Sequence, residues 1–277
     1  TNTNFNAGVD FGFWRSRLSG TVEYFYRKTS DMLFYFSTAP SIGYGGYYDN
    51  IGDMRNSGVE LSLNANIMDH SKFRWDAYFN ATHYTNKVLM IPDKNKTSTV
   101  EGHAGYATGN KFVGEGLPLN TFLMPKYAGV DRTTGQALWY RDEEIKDASG
   151  AVTGTRRVTT SVYEEATDYL CEDPTPDLYG GFGTSMEFYG FDVSLSFTYS
   201  IGGLTYDSGY ASLVTPPVGT SVGTNYHRDI YKAWTPENPD TDFPRWQYGD
   251  QFAASNSDRF LTDASYLNFQ NAQIGYT

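Results

Sequence analysis

A chain of 277 residues carries 21 Lys and Arg against 32 Asp and Glu, and its formal net charge of -11 argues against nucleic acid, whose phosphates demand a basic surplus. Hydrophobic residues make up 39% of the chain while aromatics reach 17%, with 23 Tyr and 18 Phe, a load that suits rings lodged where hydrocarbon meets water better than it suits a soluble core. No run of about 18 apolar residues is present to cross a bilayer as a helix, and the one cysteine, Cys171, excludes an internal disulfide framework.

Seven segments alternate with the period of two that marks a strand with two unlike faces. The first sets Phe5, Ala7, Val9, Phe11 and Phe13 against Asn6, Gly8, Asp10 and Gly12. The second sets Leu18, Gly20, Val22, Tyr24 and Tyr26 against Ser19, Thr21, Glu23, Phe25 and Arg27. The third sets Val59, Leu61, Leu63, Ala65 and Ile67 against Glu60, Ser62, Asn64 and Asn66, and the fourth sets Phe73, Trp75, Ala77, Phe79 and Ala81 against Arg74, Asp76, Tyr78, Asn80 and Thr82. A glycine-rich fifth holds Phe182, Met186 and Phe188. The sixth, from Phe191 to Ile201, alternates most regularly, and the seventh starts with Leu267 and Phe269 before shifting phase to Ala272, Ile274 and Tyr276, which predicts a bulge near Asn271.

In the first six segments Asp10, Glu23, Arg27, Glu60, Arg74, Asp76, Glu187 and Asp192 all fall on the polar face, as lipid on one side and a wet lumen on the other require. Ten tilted residues rise about 23 Å at roughly 3.3 Å per residue, close to the apolar band of a membrane barrel. Short connections (14–17, 68–72, 189–190) alternate with long ones (28–58, 84–178, 202–266), the parity of periplasmic turns and outer loops. The expected fold is therefore all-β: part of a large antiparallel transmembrane barrel with long extracellular loops. A passive porin, an adhesin barrel and a soluble carbohydrate-binding β-protein remain alternatives on this reasoning. Both ends read as strand, so the chain is expected to be a fragment with further strands on either side.

Three blocks carry a resemblance. They are Tyr48-Asp49-Asn50-Ile51-Gly52-Asp53-Met54-Arg55-Asn56-Ser57-Gly58-Val59-Glu60-Leu61, then Asp173-Pro174-Thr175-Pro176-Asp177-Leu178-Tyr179-Gly180-Gly181-Phe182, and then Ser257-Asp258-Arg259-Phe260-Leu261 with Ala264-Ser265-Tyr266-Leu267. Between the second and third stand Tyr199-Ser200-Ile201-Gly202-Gly203 and Trp234-Thr235-Pro236-Glu237-Asn238. In this order and spacing they resemble the SusC-like (SusC/RagA) branch of TonB-dependent outer-membrane transporters. The resemblance implies a barrel of about 22 strands with a plug, energised through TonB in a Gram-negative outer membrane. It also implies a SusD-like surface lipoprotein acting as a lid and an oligosaccharide or peptide cargo. The plug and the TonB-contacting region are expected to lie outside these residues.

Read physically, the blocks look like turn and strand chemistry. Asn56-Ser57-Gly58 reads as a turn before the third strand, Asp131-Arg132-Thr133-Thr134-Gly135 as another, and Pro174 and Pro176 as an extended approach to the fifth strand. Candidate contacts for cargo or lid are the loop aromatics Tyr44, Tyr47, Tyr48, Trp139, Tyr140, Trp234 and Trp246, although packing within the loops is the plainer role for each. Glu23, Arg27, Arg74 and Asp76 are candidate lumen-facing charges that set a polar path or pair with one another or with the plug. Asp240, Asp242 and Asp250 read as a solvated acidic loop, with no EF-type calcium motif. His70, His83, His103 and His227 show no ligand spacing, and Asp168, Glu172 and Asp173 beside Cys171 disfavour its thiolate. No cofactor, metal or enzymatic activity is expected.

Overall fold

The computed structural model describes residues 1–37, 41, 43–219, 223–250 and 252–277. In chain order the elements are β1 (Asn2–Phe13), β2 (Leu18–Ser37), β3 (Gly46–His70) and β4 (Phe73–Met90). The long connection that follows holds β5 (Ser98–Val100), β6 (His103–Thr108), β7 (Lys111–Gly114), β8 (Thr121–Pro125), β9 (Tyr127–Val130), β10 (Ala137–Lys146), β11 (Val152–Thr160) and β12 (Asp168–Leu170). After it come β13 (Leu178–Phe188), β14 (Phe191–Ile201), β15 (Leu204–Tyr206), α1 (Ser208–Val214), β16 (Leu261–Asp263) and β17 (Tyr266–Tyr276).

The seven alternating segments form one antiparallel wall in the order β1-β2-β3-β4-β13-β14-β17. Directly paired residues share a face, so the register tests whether the seven apolar faces coincide. They do. Val9 opposes Val22, Val22 opposes Leu61, Leu61 opposes Ala81, Phe79 opposes Phe182, Phe182 opposes Phe197, and Phe197 opposes Phe269. The expected irregularity in β17 is present: Ser196 opposes Asn271 while Phe197 opposes Phe269, leaving Gln270 as the extra residue. That bulge returns Leu267 and Phe269 to the face of Ala272, Ile274 and Tyr276. The rings of Phe5, Phe79, Phe182, Phe188, Phe191, Phe269 and Tyr276 on this face remain exposed, by 36% at Phe79 to 72% at Tyr276.

The strands run farther than the alternation predicts. The ladder between β2 and β3 continues to Ser37 and Gly46, and that between β3 and β4 to Asp53 and Met90, so much of the first expected loop is strand. Residues 38–40 and 42 of that loop lie outside the described residues. Asn56-Ser57-Gly58 is accordingly no turn: Asn56 opposes Arg27 and Asn86, and Ser57 opposes Tyr26 and Thr85. The glycine serves close packing, since a Cβ at Gly58 would sit 2.3 Å from the His83 carbonyl oxygen and 2.8 Å from the Phe25 ring. Gly52, at φ +112°, lies so close to the Met90 carbonyl that a Cβ there would fall 1.7 Å from its oxygen.

The blocks at 173–182, 199–203 and 264–267 meet at one corner of the wall, above the long-loop ends of β13 and β14. The Asp177 N–H donates to the Ile201 carbonyl (2.9 Å), Leu204 donates to Asp173 (3.0 Å), and Gly202 donates to the Ser265 hydroxyl (2.8 Å). Gly202 and Gly203 take φ of +79° and +77° and press against Asp177 and Pro174. At the opposite end the turn of residues 189–190 has φ of +48° and +86°, the paired left-handed values of a two-residue hairpin.

Candidate functional site

The two long connections fold into a single body over one end of the wall. One sheet runs β12-β8-β7-β6-β5 and another β11-β10-β9. One apolar cluster gathers Val88, Ile91, Tyr106 and Val113, and a second gathers Ala211, Val214, Ala233, Phe243 and Phe260. Bonds between the connections close the body. Tyr127 donates its N–H to Asp258 (2.7 Å) and its hydroxyl to the Asp242 carbonyl (3.0 Å), and Tyr163 donates its hydroxyl to the Asn256 carbonyl (2.7 Å). The guanidinium of Arg259 lies 5.1 Å from the Tyr127 ring, 4.7 Å from Phe243 and 5.3 Å from Phe260. Burial lowers the pKa of that guanidinium and pushes the Tyr127 hydroxyl up to about 12. Sequence reasoning noted Arg259 only as part of a motif; the rings it joins come from segments distant in sequence, and no local pattern announces them.

The turn at Asp131 forms as expected. Its carboxylate accepts from the N–H groups of Thr133 (2.8 Å) and Thr134 (3.2 Å), which hold its pKa below the usual value. Gly135, at φ +72°, carries the ring of Trp234 against it, and the Trp234 indole donates to the Arg132 carbonyl (3.0 Å).

The candidate loop aromatics divide into two groups. Tyr44, Tyr47 and Tyr48 are exposed, Tyr48 by 73%, near the far end of the β2–β3 ladder. Trp139 is 1% exposed, edge-on to Tyr163 at 5.2 Å, and Tyr140, Trp234 and Trp246 are half-buried, with Trp246 edge-on to Tyr226 at 4.9 Å. These four belong to the interior and flanks of the loop body. A cavity of about 460 Å³ beside them is lined by Gln136, Trp139, Ser161, Arg245, Gln247 and Asp250. Among the acidic candidates, Asp240 pairs with Arg132 (2.8 Å) and Asp250 with Arg245 (3.4 Å). Among the described residues no three His, Cys, Asp or Glu converge as metal ligands.

Register places Glu23, Arg27, Arg74 and Asp76 on the polar face of the wall. Arg74 and Asp76 meet at 2.8 Å, with Asn66 donating to the second Asp76 oxygen at 2.9 Å. Glu23 stands opposite Glu60, and Arg27 opposite Asn56, so neither joins that pair. The Tyr78 ring crosses Gly183, where a Cβ would fall 2.4 Å from it. Cys171 is half-buried, and burial foremost, with Asp258 next, pushes its thiol up to about 11. The direction is the expected one; the dominant cause is desolvation more than the acidic neighbours in sequence.

Residues 1–184 match the family described as TonB dependent receptor-like, beta-barrel. TonB-dependent receptor P3 of Formosa agariphila is 25% identical over 287 residues, spanning 100% of this chain, and TonB-dependent receptor SusC of Bacteroides thetaiotaomicron is 24% identical over 280 residues, spanning 99%. The chain covers 27% and 26% of the lengths of these two relatives. The solved RagAB peptide transporter superposes with a TM-score of 0.79 at 27% identity, over 99% of this chain and 28% of that one.

Proposed function

The chain belongs to the TonB-dependent receptor-like β-barrel family, and from that premise we propose that its parent protein imports a bulky nutrient across the outer membrane of a Gram-negative bacterium. The observation that carries this reading is the wall itself: seven strands whose register keeps one face apolar and the opposite face polar and charged. In lipid, a strand can span only if every backbone group pairs within a closed barrel. The apolar face then meets acyl chains, and Glu23, Arg27, Arg74 and Asp76 line the watery interior.

The loop body stands at the end of the wall that receives cargo, and Tyr44, Tyr47 and Tyr48 offer apolar area with polar tips to a cargo or a lid. In this scheme a SusD-like surface lipoprotein closes over the mouth and holds an oligosaccharide or a peptide, and TonB acts on a plug domain to release it inward. Likeness to the RagAB peptide transporter supports a peptide cargo; an oligosaccharide is the other cargo that the motif resemblance implies.

The test is to purify the full-length parent from native outer membranes in mild detergent and identify what accompanies it. A stoichiometric surface lipoprotein is the expected result, with cargo recoverable from the pair. A barrel isolated without a partner would leave a simpler receptor, and recovery from the soluble fraction alone would end the membrane reading.

A further inference from the structure

Among the described residues most Lys and Arg side chains of the loop body join ion pairs, as with Arg132 and Asp240 or Lys232 and Asp229. The rim at the short-turn end of the wall differs. Arg15 and Arg17 in the turn after β1, and Lys72 in the turn after β3, join no ion pair among the described residues. Around that rim Arg15, Arg17, Lys72 and Arg74 equal in number Asp69, Asp76, Glu187 and Asp192, in a chain whose net charge is -11, and Arg74 is held by Asp76.

Aromatic rings accompany these cations. Trp14 and Tyr189, each 74% exposed, stand in turns with φ of +52° and +48°. The turn after β1 continues through Arg15 and Ser16 at +59° and +64°, a run of left-handed residues without a glycine that L side chains resist. Just inside the rim the apolar face carries rings in contact, with Phe13 5.5 Å from Phe11 and 6.0 Å from Trp14, and Phe191 5.7 Å from Phe188 and 4.7 Å from Tyr276. Between the turns of residues 71–72 and 189–190 a cavity of about 630 Å³ is bounded by Lys72, Glu187, Phe188, Tyr189, Phe191 and Asp192. The Lys72 ammonium lies 5.8 Å from the Tyr189 ring.

We propose that this rim binds the phosphates of glycerophospholipids in the leaflet that the short turns face, with one headgroup in the 71–72/189–190 cavity and another at the 14–17 turn. The proposal rests on the reading of the apolar face as lipid-facing. Rings settle at headgroup level with acyl chains against their inner edges, and the unpaired cations answer the phosphate. Each such cation near an anionic surface contributes about 1 kcal/mol, a roughly fivefold change in affinity.

The experiment is native mass spectrometry of the full-length protein in detergent, titrated with dioleoyl-phosphatidylglycerol or with dioleoylglycerol, which lacks the phosphate. The unaltered protein should retain the phospholipid over the diacylglycerol. Replacing Arg15, Arg17 and Lys72 by Gln should weaken retention roughly fivefold for each cation at its site. Equal retention of the two lipids by the unaltered protein, or unchanged retention by an assembled triple variant, would overturn the proposal. Should the variant fail to assemble, the two-lipid comparison on the unaltered protein still decides. A heat-modifiable, membrane-integrated barrel without phosphate preference defeats only this proposal; a protein that does not integrate defeats the import reading beneath it.

Discussion

Gly58 shows at the scale of one residue how the wall constrains its sequence. It faces Phe25 across one ladder and Tyr84 across the other, and a methyl group there would collide with backbone as well as side chains. Gly58→Ala should therefore destabilise the assembled barrel by about 1–3 kcal/mol, the cost of overpacking in an interior that cannot give way. Gly154→Ala, where nothing lies within 4 Å, should be nearly silent. Thermal loss of the heat-modifiable form on gels measures both, and equal midpoints for the two variants would contradict the packing account. Cys171 makes a second residue-scale prediction. With its thiol near 11, thiolate is only about one part in a thousand at pH 8, and raising the pH by one unit multiplies it about tenfold. Alkylation of the folded protein by iodoacetamide should be slow at pH 8 and accelerate up to about pH 11, whereas the unfolded chain should approach its plateau near the ordinary cysteine value of about 8.5. A folded-state rate matching the unfolded one at pH 8 would show that the thiol is not buried as described.

Among the elements, β17 tests the claim that faces, not spacing, are what the wall preserves. Its extra residue, Gln270, sits between Phe269 and Asn271, whose partners Phe197 and Ser196 are adjacent. Deleting Gln270 should leave a regular ladder with every ring still on the apolar face, and the barrel should assemble. Deleting Ser194 from β14 interrupts ladders with both β13 and β17 and turns half the strand inside out, because the side-chain period is two. Outer-membrane assembly should then fail. Equal assembly of the two deletions would mean that register does not control the faces. The long β2–β3 ladder is the other lesson at this scale. Past Arg27 the alternation of apolar and polar residues lapses, since a ladder that leaves the lipid band has no continuous apolar phase to face, and pattern reading ends the strand there although hydrogen bonding carries it on.

For the molecule as a whole, the loop body and the wall have different rules. The wall leaves its rings outside; the body buries them, Trp139 and Phe260 almost completely. Trp139→Ala should loosen the body by about 3–5 kcal/mol, seen as earlier proteolysis in the 84–178 and 202–266 connections while the wall stays heat-modifiable. Tyr48→Ala removes an exposed ring, so it should spare that stability and instead weaken co-purification of lipoprotein or cargo. If Tyr48→Ala changed proteolysis as much as Trp139→Ala, the two groups of loop aromatics would not be distinct.

The all-β class, the seven wall strands, the parity of turns and loops and the bulge in β17 were legible in the chain alone. Each follows from a local rule: two faces in unlike solvents impose a period of two, and a break in phase marks an extra residue. The motif blocks were also legible, but their physical meaning was not. Gly58 read as a turn because its three-residue context is turn-like, and only the flanking strands show a glycine held by contacts with His83 and Phe25. The division of Tyr48 from Trp139 was equally closed to sequence, since both are loop aromatics and burial depends on partners such as Tyr163 that meet them through folding. So too the corner where Asp177, Gly202 and Ser265 join, and the rings gathered on Arg259, come from segments far apart in the chain. Periodicity is written along one strand and survives in one dimension; which loop residues are buried, and which are left to meet a partner, is a property of surfaces brought together, and only the tertiary structure decides it.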